Sequence, residues 1–166
     1  IATYAKIGQV DLRVTAKAAS EKEAAKLAKP MLKELVKRFG DHIYTMDEHK
    51  SLEEVIVHFL KERSLTLTTA ESCTGGLLAK LLTDLPGSSA LFRGGIVSYT
   101  NAVKAGVLGV PQTLLDQYGA VSPQVAEAMA RGAKAVLGCD IALSTTGVAG
   151  PGPDGDKPAG LVYVGL

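Results

Sequence analysis

From residue 51 onward, short β-branched or apolar runs alternate with stretches of helical spacing, and this alternation constrains the fold more than any other feature. Leu65 to Thr69, Gly95 to Tyr99, Ile141 to Thr145 and Leu161 to Leu166 read as strands. Ser51 and Glu54 form a capping box ahead of the stripe Leu52, Val55, Ile56, Phe59 and Leu60. Leu77, Leu78, Leu81 and Leu82 mark a second helix, which Pro86–Gly87 breaks. Asn101 is expected to cap a short helix through Lys104. Ser122–Pro123 opens a long helix that ends near Gly138. The pattern predicts an α/β fold: a three-layer arrangement whose parallel-rich sheet has helices on both faces. The last run alternates only weakly, so it is expected to be a central parallel strand buried on both sides.

The first 46 residues have a different organisation. Val10, Leu12 and Val14 alternate with Asp11, Arg13 and Thr15, as in a strand with one buried face. The residues before them read as the middle of a strand. A Ser20–Glu23 capping box precedes a helix carrying Ala24, Leu27, Ala28, Met31, Leu32, Leu35 and Val36. Pro30 falls within it, where a kink is expected, and Gly40 ends it. Ile43 to Thr45 reads as a second short strand. This strand–helix–strand piece, 1–46, is a small α+β domain, too small for a core of its own and expected to pack on something else. Residues 47–50 are a polar linker, and 51–166 form the second domain.

Composition narrows the function classes. With 46% hydrophobic residues and a net charge of +1, the chain can bury a core and has no global attraction to nucleic acid or anionic membrane. No apolar run approaches the roughly 20 residues that span a bilayer. Cys73 and Cys139 form no CxxC pair, so a zinc site or disulfide framework is not expected and a cytoplasmic location fits. His42 and His49 flank Asp47 and Glu48, but the spacing matches no helical His-x-x-x-His site, so no metal is expected there.

Ligands in such sheets bind at the carboxyl ends of strands. Three segments sit there. In Thr69-Ala70-Glu71-Ser72-Cys73-Thr74-Gly75-Gly76, a hydroxyl lies over exposed amides at a helix start, which suits a nucleophile beside an oxyanion hole, a phosphate site, or a plain helix cap at Ser72 or Thr74. No Lys follows the glycines, which disfavours a P-loop. In Ser98-Tyr99-Thr100-Asn101-Ala102-Val103-Lys104, a lysine kept partly dry can lose its proton and act as a base, although an ordinary lysine is simply solvated. In Thr145 to Gly155, the glycines let backbone approach a ligand, although an ordinary long connection looks the same.

Taken together, TAESCTGG, PGSSALFRGGIVSYTNAVKAGVLGV, YGAVSPQVAEAMA and TTGVAGPGPDGDKPAGLVYVGL, in this order, resemble the CinA C-terminal domain over residues 51 to 166. Residues 1–45 resemble the KH-type domain that precedes it in that family. The resemblance implies a nicotinamide-nucleotide amidohydrolase that converts nicotinamide mononucleotide to nicotinate mononucleotide and ammonia. It implies Ser72 as nucleophile, Lys104 as base and Tyr99 as the group that orients Lys104 or relays its proton. Amides around Thr74, Gly75 and Gly76 would hold the oxyanion, with Asn101, Thr146, Gly147 and Gly150 lining the nucleotide pocket. No cofactor is implied for this reaction. Family proteins also carry an N-terminal domain with ADP-ribose pyrophosphatase activity, which alone would use a divalent metal and is not in this chain.

The family pattern runs past Leu166 with a further strand, an FxGxR-type segment and a helix. The native protein is therefore expected to continue, and a chain ending at Leu166 to expose apolar surface and hydrolyse the substrate poorly. A homodimer is expected. One rival moves the nucleophile to Cys73, an intrinsically better nucleophile with no nearby His to activate it. Another makes the chain a non-catalytic module that touches nucleic acid through the KH-type part. That part lacks a GxxG loop, and its lysines Lys26, Lys29, Lys33 and Lys37 are interleaved with Glu23 and Glu34, so nucleic acid is not the expected partner.

Overall fold

The computed structural model describes residues 1–166, which divide into two compact units, Ile1–Val55 and Ile56–Leu166. In the first, β1 (Ala2–Lys6) and β2 (Gln9–Arg13) form an antiparallel hairpin, pairing Ala2 with Arg13 and Lys6 with Gln9. The turn passes through Gly8, whose φ of 78° is easy only for glycine. Helix α1 (Glu21–Phe39) follows, with the Ser20 hydroxyl accepting the Glu23 amide, and it runs through Pro30 as one element. A 3-10 turn, Gly40–His42, closes it.

This corrects the strand–helix–strand expectation. Ile43 to Thr45 is not a strand, and the partner of β2 is the local β1. A two-residue turn closes at far less entropic cost than a return across a helix. Tyr44 instead donates its hydroxyl to Gln9 Oε1 at 2.7 Å. Nor does Val10 lie on a buried face, since it is largely exposed.

The second unit holds a four-stranded sheet in the order β4-β3-β5-β6, preceded by α2 (Leu52–Glu62). Its strands are β3 (Leu67–Glu71), β4 (Phe92–Val97), β5 (Ile141–Gly147) and β6 (Val162–Gly165). The helices are α3 (Leu77–Thr83), α4 (Asn101–Gly106), α5 (Gln112–Tyr118) and α6 (Pro123–Leu137). Strand β3 is parallel to both neighbours, and all five of its residues are buried. Alternation along it sorts the core. Ala70 joins Val125, Met129, Ala130 and Ala133 of α6 on one face. Leu67 joins Val57 and Leu60 of α2 and Leu82 of α3 on the other. Helices therefore cover both faces, as an α/β sheet requires. No helix is long and apolar enough to cross a membrane.

Three local expectations are corrected. Thr100, not Asn101, caps α4, its hydroxyl accepting the Val103 amide at 3.4 Å. Helix α5 has no counterpart in the sequence reading. Most consequentially, β6 is not parallel to its neighbour. It runs antiparallel to β5 at the sheet's edge, with Val162 and Val164 45% and 63% exposed. The cause lies in the connection. Val148 N–H donates to Leu161 O and Gly160 N–H to Val148 O, so the loop folds back on itself where a parallel neighbour would need a crossover helix.

Candidate active site

The site is built where β3 and β4 end. Strand β3 is pinned between its neighbours to the last residue: Ser98 N–H donates to Glu71 O at 2.8 Å, and Ser72 N–H donates to Thr145 O at 3.0 Å. Ser72 is thus the first residue beyond a fully clamped strand, and it is buried. The chain then turns through Gly75 and Gly76, both at positive φ (60° and 101°), and enters α3. Such φ values are what glycine permits in a turn this tight.

Lys104 comes from the second turn of α4 and is only 1% exposed. Its Nζ lies 3.0 Å from Ser72 Oγ, 2.8 Å from Ser98 O and 3.3 Å from Tyr99 O. No carboxylate is among these partners. Burial pushes the Lys104 ammonium below its ordinary value, and the neighbouring Cys73 offsets this only in part. A neutral amine has two N–H groups and one lone pair. The two carbonyls can only accept, so they take the N–H groups. The lone pair is left for the Ser72 hydroxyl, which is the geometry of a base beside a nucleophile.

Glu71, absent from the sequence-based candidates, is also 1% exposed. Its Oε2 accepts the amides of Gly76 and Leu78 at 3.0 and 2.9 Å, and its Oε1 accepts the Ala79 amide at 2.8 Å and the Thr69 hydroxyl at 3.2 Å. Burial pushes this carboxyl up, but the Leu78 and Ala79 amides, with nearby threonine hydroxyls, outweigh it and hold it below its ordinary value. The start of α3 is therefore already neutralised by the protein's own carboxylate. Gly75 N–H donates to Ser72 O and Leu77 N–H to Thr74 O, so Gly75 and Gly76 are not free oxyanion donors. The turn's unclaimed amides belong to Cys73 and Thr74.

The remaining candidates divide. Thr74 joins the site, its hydroxyl 2.7 Å from that of Thr145. Tyr99 contributes its carbonyl, whereas its side chain is 72% exposed and makes no hydrogen bond to Lys104. The buried Thr146 donates its hydroxyl to Ala120 O at 2.7 Å, so Thr145, one residue earlier and on the opposite face, is the threonine that meets the turn. Gly147 packs against Leu161 and Val162, and Gly150 and Asn101 are exposed. The Cys73 thiol is free, and Lys104 makes no hydrogen bond to it. No cluster of three or more His, Cys, Asp or Glu side chains could hold a metal ion.

Glu71 and Thr145 were within reach of the sequence. A glutamate inside a short apolar strand must be paired, and period-2 alternation places Glu71 opposite Ser72.

Comparison with known proteins decides the lineage. The profile described as CinA C-terminal domain matches residues 49–166, and that of the damage-inducible protein CinA KH domain matches residues 1–45. The chain belongs to the CinA family. A CinA-like protein of Dictyoglomus turgidum is 50% identical over 167 aligned residues, covering 100% of this chain and 40% of the relative. The chain thus spans about 40% of the length of the curated CinA relatives it matches. The competence/damage-inducible protein of Agrobacterium tumefaciens superposes with a TM-score of 0.66 at 45% identity, covering 68% of this chain and 69% of that one. The CinA superfamily protein of Escherichia coli gives a TM-score of 0.66 at 35% identity, covering 72% of each chain.

Proposed function

We propose that this CinA-family chain hydrolyses the carboxamide of nicotinamide mononucleotide to nicotinate mononucleotide and ammonia. The observation that carries the chemistry is the buried Lys104 Nζ, 3.0 Å from Ser72 Oγ, whose other two partners are carbonyls. The substrate comes from the family resemblance.

Ser72 Oγ attacks the carboxamide carbon while Lys104 takes its proton. The carbonyl electron pair moves onto oxygen, where the Cys73 and Thr74 amides, free within the turn, would receive it. The carbon–nitrogen bond then breaks. Lys104 returns the proton to the departing nitrogen, which leaves as ammonia, and the nicotinoyl group remains as an ester on Ser72. Water attacks that ester with Lys104 again as base, the carbon–Oγ bond breaks, and Ser72 recovers its proton. Tyr99 enters through its carbonyl, which orients Lys104. Amide hydrolysis needs a nucleophile, a base and a stabilised oxyanion, so these steps use no metal or redox cofactor.

The test is to incubate purified protein with nicotinamide mononucleotide and measure ammonia and nicotinate mononucleotide. Equimolar release of both, abolished by Ser72→Ala, is expected. Full turnover by Ser72→Ala together with inactivation by iodoacetamide would move the nucleophile to Cys73.

A further inference from the structure

We propose that Glu71 is a positioning residue for the nucleophile: by accepting the Gly76, Leu78 and Ala79 amides it closes the Ser72 turn into a ring that holds Oγ against Lys104. This rests on the amide-hydrolysis reading of the site. The main chain leaves Glu71, passes through Ser72, Cys73, Thr74 and Gly75, and reaches Gly76, whose amide returns to the Glu71 side chain. The residue that precedes the nucleophile therefore also fixes the far end of its loop.

Two features exclude a direct chemical role. A carboxylate has about four acceptor positions. Here Thr69, Gly76, Leu78 and Ala79 fill them. Strand alternation also points Glu71 and Ser72 to opposite sides, and Lys104 has no hydrogen bond to Glu71. Glu71 is thus neither the base nor the counter-ion of the base. It also decides which amides stay open. With Gly76, Leu78 and Ala79 claimed by the carboxylate, and Gly75 and Leu77 by main-chain carbonyls, Cys73 and Thr74 are left. Without the carboxylate, three partly buried amides would compete for any anion, and the turn would lose its set position.

The decisive variant is Glu71→Gln, which keeps the shape and one acceptor oxygen but turns a donor toward the Ala79 amide. At a temperature well below its melting midpoint, kcat is expected to fall by about 10- to 100-fold with KM within about threefold, as a displaced nucleophile requires. The acid limb of the pH profile should not move, because burial of Lys104 sets it. Leu82→Ala is the control, since it hollows the packing of the same helix. It should lower the melting midpoint at least as much and leave kcat within about twofold. If Glu71→Gln does not fold, Glu71→Asp, one methylene too short, carries the same expectation.

A second readout needs no nicotinamide nucleotide. A fluorophosphonate reacts with an activated serine by forming an Oγ–P bond and expelling fluoride, the serine proton passing to Lys104. Its labelling rate at Ser72 should fall with kcat. Wild-type rates in Glu71→Gln overturn the proposal, as does a kcat loss matched by Leu82→Ala, or a shifted acid limb, which would mean that Glu71 acts through charge. If wild-type protein is labelled but leaves nicotinamide mononucleotide intact, the substrate reading fails and the labelling ratio alone decides on Glu71. Protein that shows neither reaction overturns both.

Discussion

Two glycine-rich turns leave the same end of the sheet, one after β3 and one after β5, and they are held in different ways. The β3 turn is closed by a buried carboxylate and sets a buried hydroxyl beside a buried amine. The β5 loop is closed by main-chain bonds between Val148, Gly160 and Leu161 and between Asp154 and Lys157, and residues 150–156 are exposed. Glycine serves geometry in both, so glycine content does not separate them. What separates them is polar side chains taken out of water and aimed at one another, an arrangement that costs stability unless something is gained by it.

The largest effect should therefore fall on the first turn. Ser72→Ala and Lys104→Ala are each expected to lower kcat by about 10³-fold or more, and the double variant to lose little beyond either single one, because the pair acts as a unit. Steady-state assays with nicotinamide mononucleotide, alongside titration of its binding, check this. Near-normal turnover in either variant would erase the distinction between the turns.

The next effect is on pH. The proposed mechanism needs Lys104 neutral, and burial lowers its pKa from the ordinary 10.5. Activity should then rise with pH through this lowered value and be lost below it, about tenfold per pH unit once the ammonium dominates. An acid limb at the ordinary lysine value would show that burial does not tune the base.

A smaller effect concerns stability. The folded Glu71 carboxyl sits below its ordinary value of 4.5, so its contribution is fully present above that pH and is lost as pH falls through the folded value. The melting midpoint of wild type should drop more steeply across this window than that of Glu71→Gln. Smallest of all, Lys157→Ala in the β5 loop removes one bond, from Nζ to Tyr118 O at 3.0 Å. Turnover should stay within about twofold and stability within about 1 kcal/mol. A loss approaching that of Lys104→Ala would place the second loop in the chemistry.

The same contrast explains what the sequence disclosed. Strand–helix alternation revealed the layered sheet, and capping boxes marked the starts of α1 and α2, where the Ser51 and Glu54 bonds form at 3.2 and 2.7 Å. Ser72 and Lys104 could be paired from strand ends and a family resemblance, since both lie in segments whose positions follow from parallel pairing. Register was harder to read. Thr145 and Thr146 are adjacent and chemically identical, and only strand alternation decides which one meets Thr74. Strand direction was hidden too: β6 reads as apolar in either orientation, and the loop's own bonds reverse it. Nor does the sequence reveal which amides of the turn are engaged: the Gly76 amide goes to the Glu71 carboxylate and the Gly75 amide to Ser72 O.

The partners of Lys104 have an evolutionary consequence. Apart from the Ser72 hydroxyl, they are main-chain carbonyls, at Ser98 and Tyr99. Point mutation changes side chains and leaves carbonyls in place, so no single substitution at those positions can delete a partner of the Lys104 amine. Drift at Tyr99, whose ring is mostly in solvent, should leave the amine's setting unchanged, while Ser98, wholly enclosed and donating its hydroxyl to Glu71 O at 3.5 Å, is constrained by volume and by that bond. A saturation library read out by deamidase activity should accept many residues at 99, only small ones at 98, and lysine alone at 104.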